Sequence, residues 1–369
     1  MNNKGVVLLM VLWTTMLLTM LAAALVSEVR LSALTAYYYK KNSCRLADRL
    51  SAVAIAKMEL MLVRMPKPPG VDPGEVVRQR KNGYVKKEAY LFNGQRLTPH
   101  YPLPEGVDLR IYDHAGLIDL RRLTKSNMRK ILSKLLPEKS DDRLNDLINS
   151  WQDWIDADDL KRIGGAEKEY YSTLKPPYAP SNMAFETVDE LLLIKGFAEL
   201  FQGINIHAAF TLHGNGNDSR INFNLATRDA LLLVPGLDAR DVDRILEVRE
   251  EKEIKSARDL RGIIEPEHLN QAAKWITLTT SNYYTIFVTA KEQKYPPQDG
   301  KKNNGTGNDR KPRQLSQWGY AEIVRARGYS KIPRTLRVDP LIKLPVDNGP
   351  RAVDGNQNGN VNGLFGKDE

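Results

Sequence analysis

The sequence predicts an α+β protein in which one long N-terminal helix leads into an antiparallel sheet, and a helical domain is inserted within that sheet. Three observations predict it. Val6 to Ser27 is a run of 22 residues without a charge, and a helix rising ~1.5 Å per residue needs about 20 residues to cover a ~30 Å hydrocarbon core. Short alternating segments punctuated by Gly, Pro and Asn occupy 84–120 and return at 275–344. Between them, 124–274 carries apolar residues at helical spacing. Helices flanked by strands on both sides read as one sheet interrupted by an α-domain.

Taken in order, the chain opens on a five-residue polar leader, MNNKG, and the apolar run follows as a transmembrane helix over 6–27. Three readings of this entry stand side by side. The run is longer than the 7–15 residue core of a secretory signal, yet it could be such a signal cut after Ala22-Ala23-Ala24, or a plain anchor, or, since a short basic leader ending in Gly before a long apolar helix resembles class III prepilins, a helix released by cleavage between Gly5 and Val6. By the positive-inside rule, Arg30, Lys40, Lys41 and Arg45 outweigh Lys4 and favour the topology opposite to that third reading.

Residues 28–66 continue the helix as an amphipathic stem. Its expected apolar stripe is Leu46, Leu50, Val53, Ala54, Met58 and Met61, and Pro66, Pro68, Pro69 and Gly70 stop it. The first strands of the sheet are expected over 67–123, from YVKKEAYLF, VDLRIYD and GLIDL, with turns at Asn93-Gly94, Pro102, Pro104 and Gly116. The α-domain is expected over 124–274, in two pieces, 124–213 and 214–274. The sheet resumes over 275–344, with a mobile loop at 292–314, and a disordered tail follows at 345–369.

A weak repeat ties the two helical pieces together. GLIDLRRLTKSNMRKIL at 116–132 parallels RINFNLATRDALLLV at 220–234, a short strand, a turn and a helix, with Thr124 and Thr227 placed to cap the two helices.

Composition narrows the chemistry. One cysteine, Cys44, rules out an intramolecular disulfide and a Cys-based zinc site, and is read as a small buried residue of the stem. The five histidines have no ligand spacing, and no G-x-S-x-G, P-loop, G-x-G-x-x-G or H-E-x-x-H is present. An enzyme is not expected. The excess positive charge behind the net +9 lies on the stretch from Arg30 to Lys67, which carries eight Lys/Arg, and on the loop 292–313.

Two constellations could carry function. LLLVPGLDARDVDRILEVRE has the form of a helix-hairpin-helix around Pro235-Gly236, a shape that often holds duplex phosphates. From Asn224 to Lys274, however, nine Lys/Arg face eleven Asp/Glu, and Asp238 stands where a second hairpin glycine is usual. The second is WQDWIDADD, which places Asp153, Asp156, Asp158 and Asp159 within seven residues, with Glu167 close behind. Such a cluster at a helix end running into Gly164-Gly165 offers the oxygens that Ca²⁺ takes. The same acids also fit a solvated helix end, or ion pairs with Lys161 and Arg162. Trp151 and Trp154 read as core packing for that helix.

The stretches INSWQDWIDADDLKRIGGAEKEYY, PPYAPSNMAFETVDELLLIKG and NFNLATRDALLLVPGLDARDVDRILEVRE, together with a leader ending in Gly5 and Met10 as the fifth residue after it, resemble the K-type minor pseudopilins of type II secretion systems. The D-W-I-D-x-D-x(8)-E run is the most diagnostic piece. The resemblance implies a pilin fold whose sheet carries an α-domain of two SAM-like, hairpin-containing pieces, with residues 1–5 as a prepilin leader cut between Gly5 and Val6 by a prepilin peptidase and the new terminus methylated. It implies a single-pass bacterial inner-membrane protein with its bulk in the periplasm, capping the pseudopilus tip with I-type and J-type minor pseudopilins and touching secreted substrate or the outer-membrane channel. It also implies calcium in the α-domain, making Asp153, Asp156, Asp158, Asp159 and Glu167 candidate ligands. The alternative function is a membrane-anchored helix-hairpin-helix DNA-binding protein of a competence-type uptake system.

Overall fold

The computed structural model describes residues 4–63, 92–136, 140–214, 219–290 and 316–346. The leader residues 1–3, the strand expected over 84–91, the helix-stopping prolines, the loop 292–314 and the tail from 347 lie outside the described residues. The chain divides into two units, Met1–Ser51 and Ala52–Glu369.

Helix α1 spans Lys4–Val63. It is the one described helix long and apolar enough to cross a membrane, with a mean hydropathy of 2.2 over its most apolar window. Its polar side chains suit lipid. The hydroxyls of Thr14, Thr15 and Thr19 donate to the carbonyls of Val11, Leu12 and Met16 at 2.8–2.9 Å, so none of these hydroxyl protons is left unpaired.

In the second unit the last turns of α1 lie on a five-stranded antiparallel sheet of β1 (Asn93–Arg96), β2 (Val107–Asp113), β7 (Tyr283–Ala290), β8 (Ser316–Arg325) and β9 (Arg334–Pro345), in that order. Ala52, Val53, Ala56 and Leu60 pack with Leu109, Ile111, Ile286, Val288 and Val324. Of the stripe expected from sequence, Val53 is buried there. Leu46, Leu50 and Met58 are exposed, and the small residues Ala52 and Ala56 face the sheet, where they let the helix approach closely. Cys44 is exposed, not buried. Two polar contacts fix the helix. Lys57 Nζ donates to Glu322 Oε2 at 2.8 Å and to Thr335 Oγ1 at 2.9 Å, and Glu59, fully buried, accepts from the His100 backbone N–H at 2.6 Å. Burial alone would raise the Glu322 carboxyl, but hydrogen bonds from Lys57, Tyr320 and Thr335 hold it below its ordinary value.

The helical domain enters between β2 and β7, which are neighbours with seven residues in register. It holds β3 (Ile118–Asp119), α2 (Lys125–Leu135), α3 (Asp141–Ile155), α4 (Lys168–Ser172), α5 (Phe197–Leu200), α6 (Ile206–Ala209) and β4 (Phe210–Thr211). β5 (Ile221–Asn222), α7 (Arg228–Leu233), α8 (Ala239–Glu251), α9 (Pro266–Ala272) and β6 (Ile276–Thr277) follow. The sequence repeat has a structural counterpart. β3 pairs in parallel with β4, and β5 with β6, so each helical piece is closed by its own two-residue ladder. Thr124 caps α2 by accepting from Asn127 N–H, and Thr227 caps α7 by accepting from Ala230 N–H. Where the repeats meet, Gly116 lies so close to the Leu225 backbone that an added Cβ would sit 2.3 Å from its carbonyl oxygen. One hydrophobic core runs from Leu117 to Trp275 across both pieces.

Three local expectations change. GLIDL, expected in the main sheet, instead pairs inside the insert through Ile118–Asp119, as Ile276–Thr277 does. The insert thus reaches beyond 124–274 at both ends. Asn93-Gly94, expected as a turn, opens β1, with Gly94 at φ 84°. The helix expected over TVDELLLIKGFAELF is broken into a 3-10 turn at Asp189–Leu193 and the short α5, because Gly196 at φ 80° redirects the chain.

Two side chains close the neck of the insert. Asp113, buried, accepts from Ala115 N–H at 2.8 Å and from Ser281 N–H at 3.0 Å. His114 bridges the insert to the sheet, its Nδ1 2.7 Å from Thr211 Oγ1 and its Nε2 2.8 Å from Thr285 Oγ1. Burial, aided by His213 nearby, lowers its pKa to about 3. The unfolded histidine takes a proton near pH 6.5 that the folded one refuses, so the folded state loses stability as pH falls from about 6.5 toward 3. Urea denaturation at stepped pH should show a steeper acid loss for the parent protein than for His114→Asn, and equal slopes would contradict the neutral bridge.

Candidate functional site

The acidic segment is built on the end of α3. Ser140 caps the start of this helix by accepting from Arg143 N–H, and Asp156 closes it. Trp151 and Trp154 are buried in the core as expected, Trp154 edge-on to Tyr171 at 5.2 Å. Asp153 shares their face and is fully buried. Its Oδ1 accepts from Arg162 Nη1 at 2.7 Å, and its Oδ2 accepts from the backbone N–H of Arg162 at 3.3 Å and of Ala166 at 2.9 Å. Loop 156–166 therefore folds back over the helix end around one carboxylate. Gly165 is required there, since a Cβ would stand 2.0 Å from Asp153 Oδ2.

Arg162 Nη1 also donates to Asp156 Oδ2, so one guanidinium joins two of the five acids. Of the two cations that the sequence offers for such pairing, Arg162 takes the role. Asp158 and Asp159 lie at the surface. Asp158 Oδ1 accepts from Leu160 N–H at 2.9 Å, and Asp159 Oδ1 accepts from Asn182 Nδ2 at 2.9 Å.

Glu167 is different. Its side chain is fully buried, and neither Oε1 nor Oε2 has a hydrogen-bond donor. Asp156 Oδ1 and Asn182 Oδ1 are likewise buried and unpartnered. Burial first, then the charges of Asp153, Asp156, Asp159 and Asp158, push the Glu167 pKa up to about 7. Buried acceptors without donors are costly, and oxygens of this kind are what a hard cation takes. The segment fits a calcium ion on that ground. Asn182, which sequence reasoning missed, reaches the group from 15 residues downstream of Glu167, and its φ of 48° marks a tight turn.

The hairpin is held by packing. Gly236, at φ 92°, sits against α9, where a Cβ would meet Gln271 Cβ at 2.6 Å and the His268 carbonyl oxygen at 2.8 Å. Asp238 caps α8, its Oδ1 accepting from Asp241 N–H at 2.7 Å while Asp241 Oδ2 accepts from Asp238 N–H at 3.0 Å. Asp241 Oδ2 also lies 2.7 Å from His268 Nδ1. Among the described residues Asp238, Asp241 and His268 form a group close enough to share a metal, but their bonded oxygens already serve the helix N-terminus. The residue that replaces the second hairpin glycine is thus a cap.

Residues 116–203, which span the acidic segment, match the family model described as type II secretion system (T2SS), protein K. This stretch of the chain is what resembles protein K. The matched stretch is set between neighbouring strands of an antiparallel sheet, downstream of a long apolar helix. It is also similar to a chain in the crystal structure of the GspK-GspI-GspJ complex from the enterotoxigenic Escherichia coli type 2 secretion system. That likeness has 15% sequence identity, a TM-score of 0.48, and covers 83% of this chain and 98% of the other. No curated protein matches the chain. The matched stretch begins at Gly116, the residue packed on the Leu225 backbone, and includes every acid of the cluster.

The raised Glu167 pKa gives a measurable sign. In chelator, the unfolded carboxyl loses its proton near pH 4.5 and the folded one only near 7, so this group makes folding less favourable as pH rises between those values. Glu167→Gln should remove that component, leaving the variant more stable than the parent at pH 7.5 in chemical denaturation with chelator present. A variant less stable at every pH would contradict an uncompensated carboxylate.

Proposed function

We propose that this protein is a membrane-anchored, non-catalytic minor pseudopilin that caps the tip of a type II secretion pseudopilus and initiates its assembly with I-type and J-type partners. The observation that carries the proposal is the protein K domain inserted between adjacent sheet strands, a bulk that a repeating shaft subunit would have to accommodate at every contact. Met10 supports the tip position. After cleavage at Gly5 it would be the fifth residue, and without a carboxylate there the chain does not neutralise the terminal amine of a neighbour. On this reading the inner membrane holds α1, the bulk lies in the periplasm, and a prepilin peptidase cuts between Gly5 and Val6. Both residues fall in the first turns of α1, with side chains outside the described set.

The DNA-binding alternative has less support. Gly236 is occupied by packing on α9, Asp238 by capping, and the hairpin region has an excess of acids.

Calcium belongs to the same proposal. The unpartnered oxygens of Glu167 and Asp156, with Asp158 and Asp159 at the surface, would hold it, while Asp153 stays committed to the loop backbone and Arg162. The ion would supply positive charge to a cluster that one arginine only partly neutralises.

Intact mass of the protein extracted from membranes of cells with a prepilin peptidase should show loss of Met1–Gly5, with one added methyl on Val6. Cleavage after Ala24, or an uncut chain, would overturn the assignment. Calcium should raise the melting temperature of the parent protein and leave that of Asp156→Ala/Asp158→Ala unchanged; identical melting of the parent with and without calcium would remove the metal.

A further inference from the structure

A groove of about 600 Å³ runs between α2, the hairpin after α7 and the end of α9. It is remote in role from the anchor, the sheet and the acidic loop. Its floor is apolar, formed by Leu144, Pro235 and Trp275, and its lining carries four cations, Arg129, Lys130, Lys134 and Lys274, against one carboxylate, Asp141. These come from both helical pieces, so the groove exists only when the pieces are packed together.

The rim cations are poorly neutralised. Lys134 Nζ donates to the Val234 carbonyl at 2.8 Å, and burial lowers its pKa to about 8 in spite of Asp238 and Asp241. Among the described residues Lys130, Lys134 and Lys274 form no ion pair. Arg129 approaches Asp141 only to 4.0 Å, and that carboxylate is 93% exposed. Like charges gathered around a partly desolvated groove repel one another, and an incoming anion relieves that repulsion.

We propose that this groove binds an acidic peptide segment of a partner protein, with apolar side chains on the Leu144, Pro235 and Trp275 floor and carboxylates on the lysine and arginine rim. Charge complementarity selects the occupant, and the volume matches several residues of peptide, in the range of ligand pockets generally. An apolar floor beneath a cationic rim suits a chain that alternates apolar and acidic side chains better than it suits a free anion. Nothing in the groove depends on the pseudopilin role.

The test uses the full chain in detergent and a fluorescein-labelled octapeptide of alternating Glu and Leu, read by anisotropy. Binding should weaken steeply with salt, and the corresponding Lys-Leu peptide should not bind. Lys130 and Lys274 are exposed, so Lys130→Glu/Lys274→Glu should fold as the parent does, checked by its melting temperature, and raise the Kd at least tenfold. Unchanged affinity in that variant, or no binding of the Glu-Leu peptide by the parent at millimolar concentration, would overturn the proposal. Displacement of the peptide by equimolar inorganic pyrophosphate would overturn it in favour of a simple oxyanion site, and displacement by equimolar duplex DNA in favour of a nucleic-acid groove.

Discussion

Asp113 holds the two ends of the insert together, and the rest of the fold depends on it. Its carboxylate receives the Ser281 N–H across 168 positions of sequence, while accepting from Ala115 N–H two residues away. Closing so long a segment costs only a few kcal/mol in chain entropy, because the penalty grows with the logarithm of length. The β2–β7 ladder, seven residues in register, can therefore treat the helical domain as one large loop. Once that neck is fixed, β7 brings in β8 and β9, and the sheet offers Glu322 to Lys57 at the end of α1. The opposite face meets the insert, where Ala208 packs with Tyr112, Phe287 and Leu344.

Much of this is legible in the sequence because it rests on local rules. The charge-free run makes a helix long and apolar enough to cross a membrane, strands β2, β8 and β9 alternate as strands should, and Thr124 and Thr227 cap the helices whose starts they mark. The elements that sequence misplaces depend on distant contacts. Ile118–Asp119 looks like any short strand, and only its partner, Phe210–Thr211, assigns it to the insert. The buried face of α1 escapes a reading that gives priority to large apolar residues, because the sheet accepts Ala52 and Ala56 at closest approach. The stretch 187–201 has helical periodicity, and a single left-handed glycine at 196 overrides it.

The acidic segment follows the same division. Its composition announces a charged site, but not that Asp153 is spent on loop backbone and Arg162, leaving Glu167 buried without a donor. Nor does sequence say that Asn182 comes back to the cluster, since nothing local links it to α3. In the hairpin, a pattern associated with phosphate binding is used for packing, with Gly236 against α9 and Asp238 capping α8. The same residue types thus carry different roles according to what stands across from them.

On the proposed function, a subunit built around so large an insert occurs once, at the end of a pseudopilus. Electron microscopy of isolated pseudopili carrying a gold label on this chain tests it most directly. A single label at one end of each filament is the predicted result, and labels spaced along the shaft would contradict it.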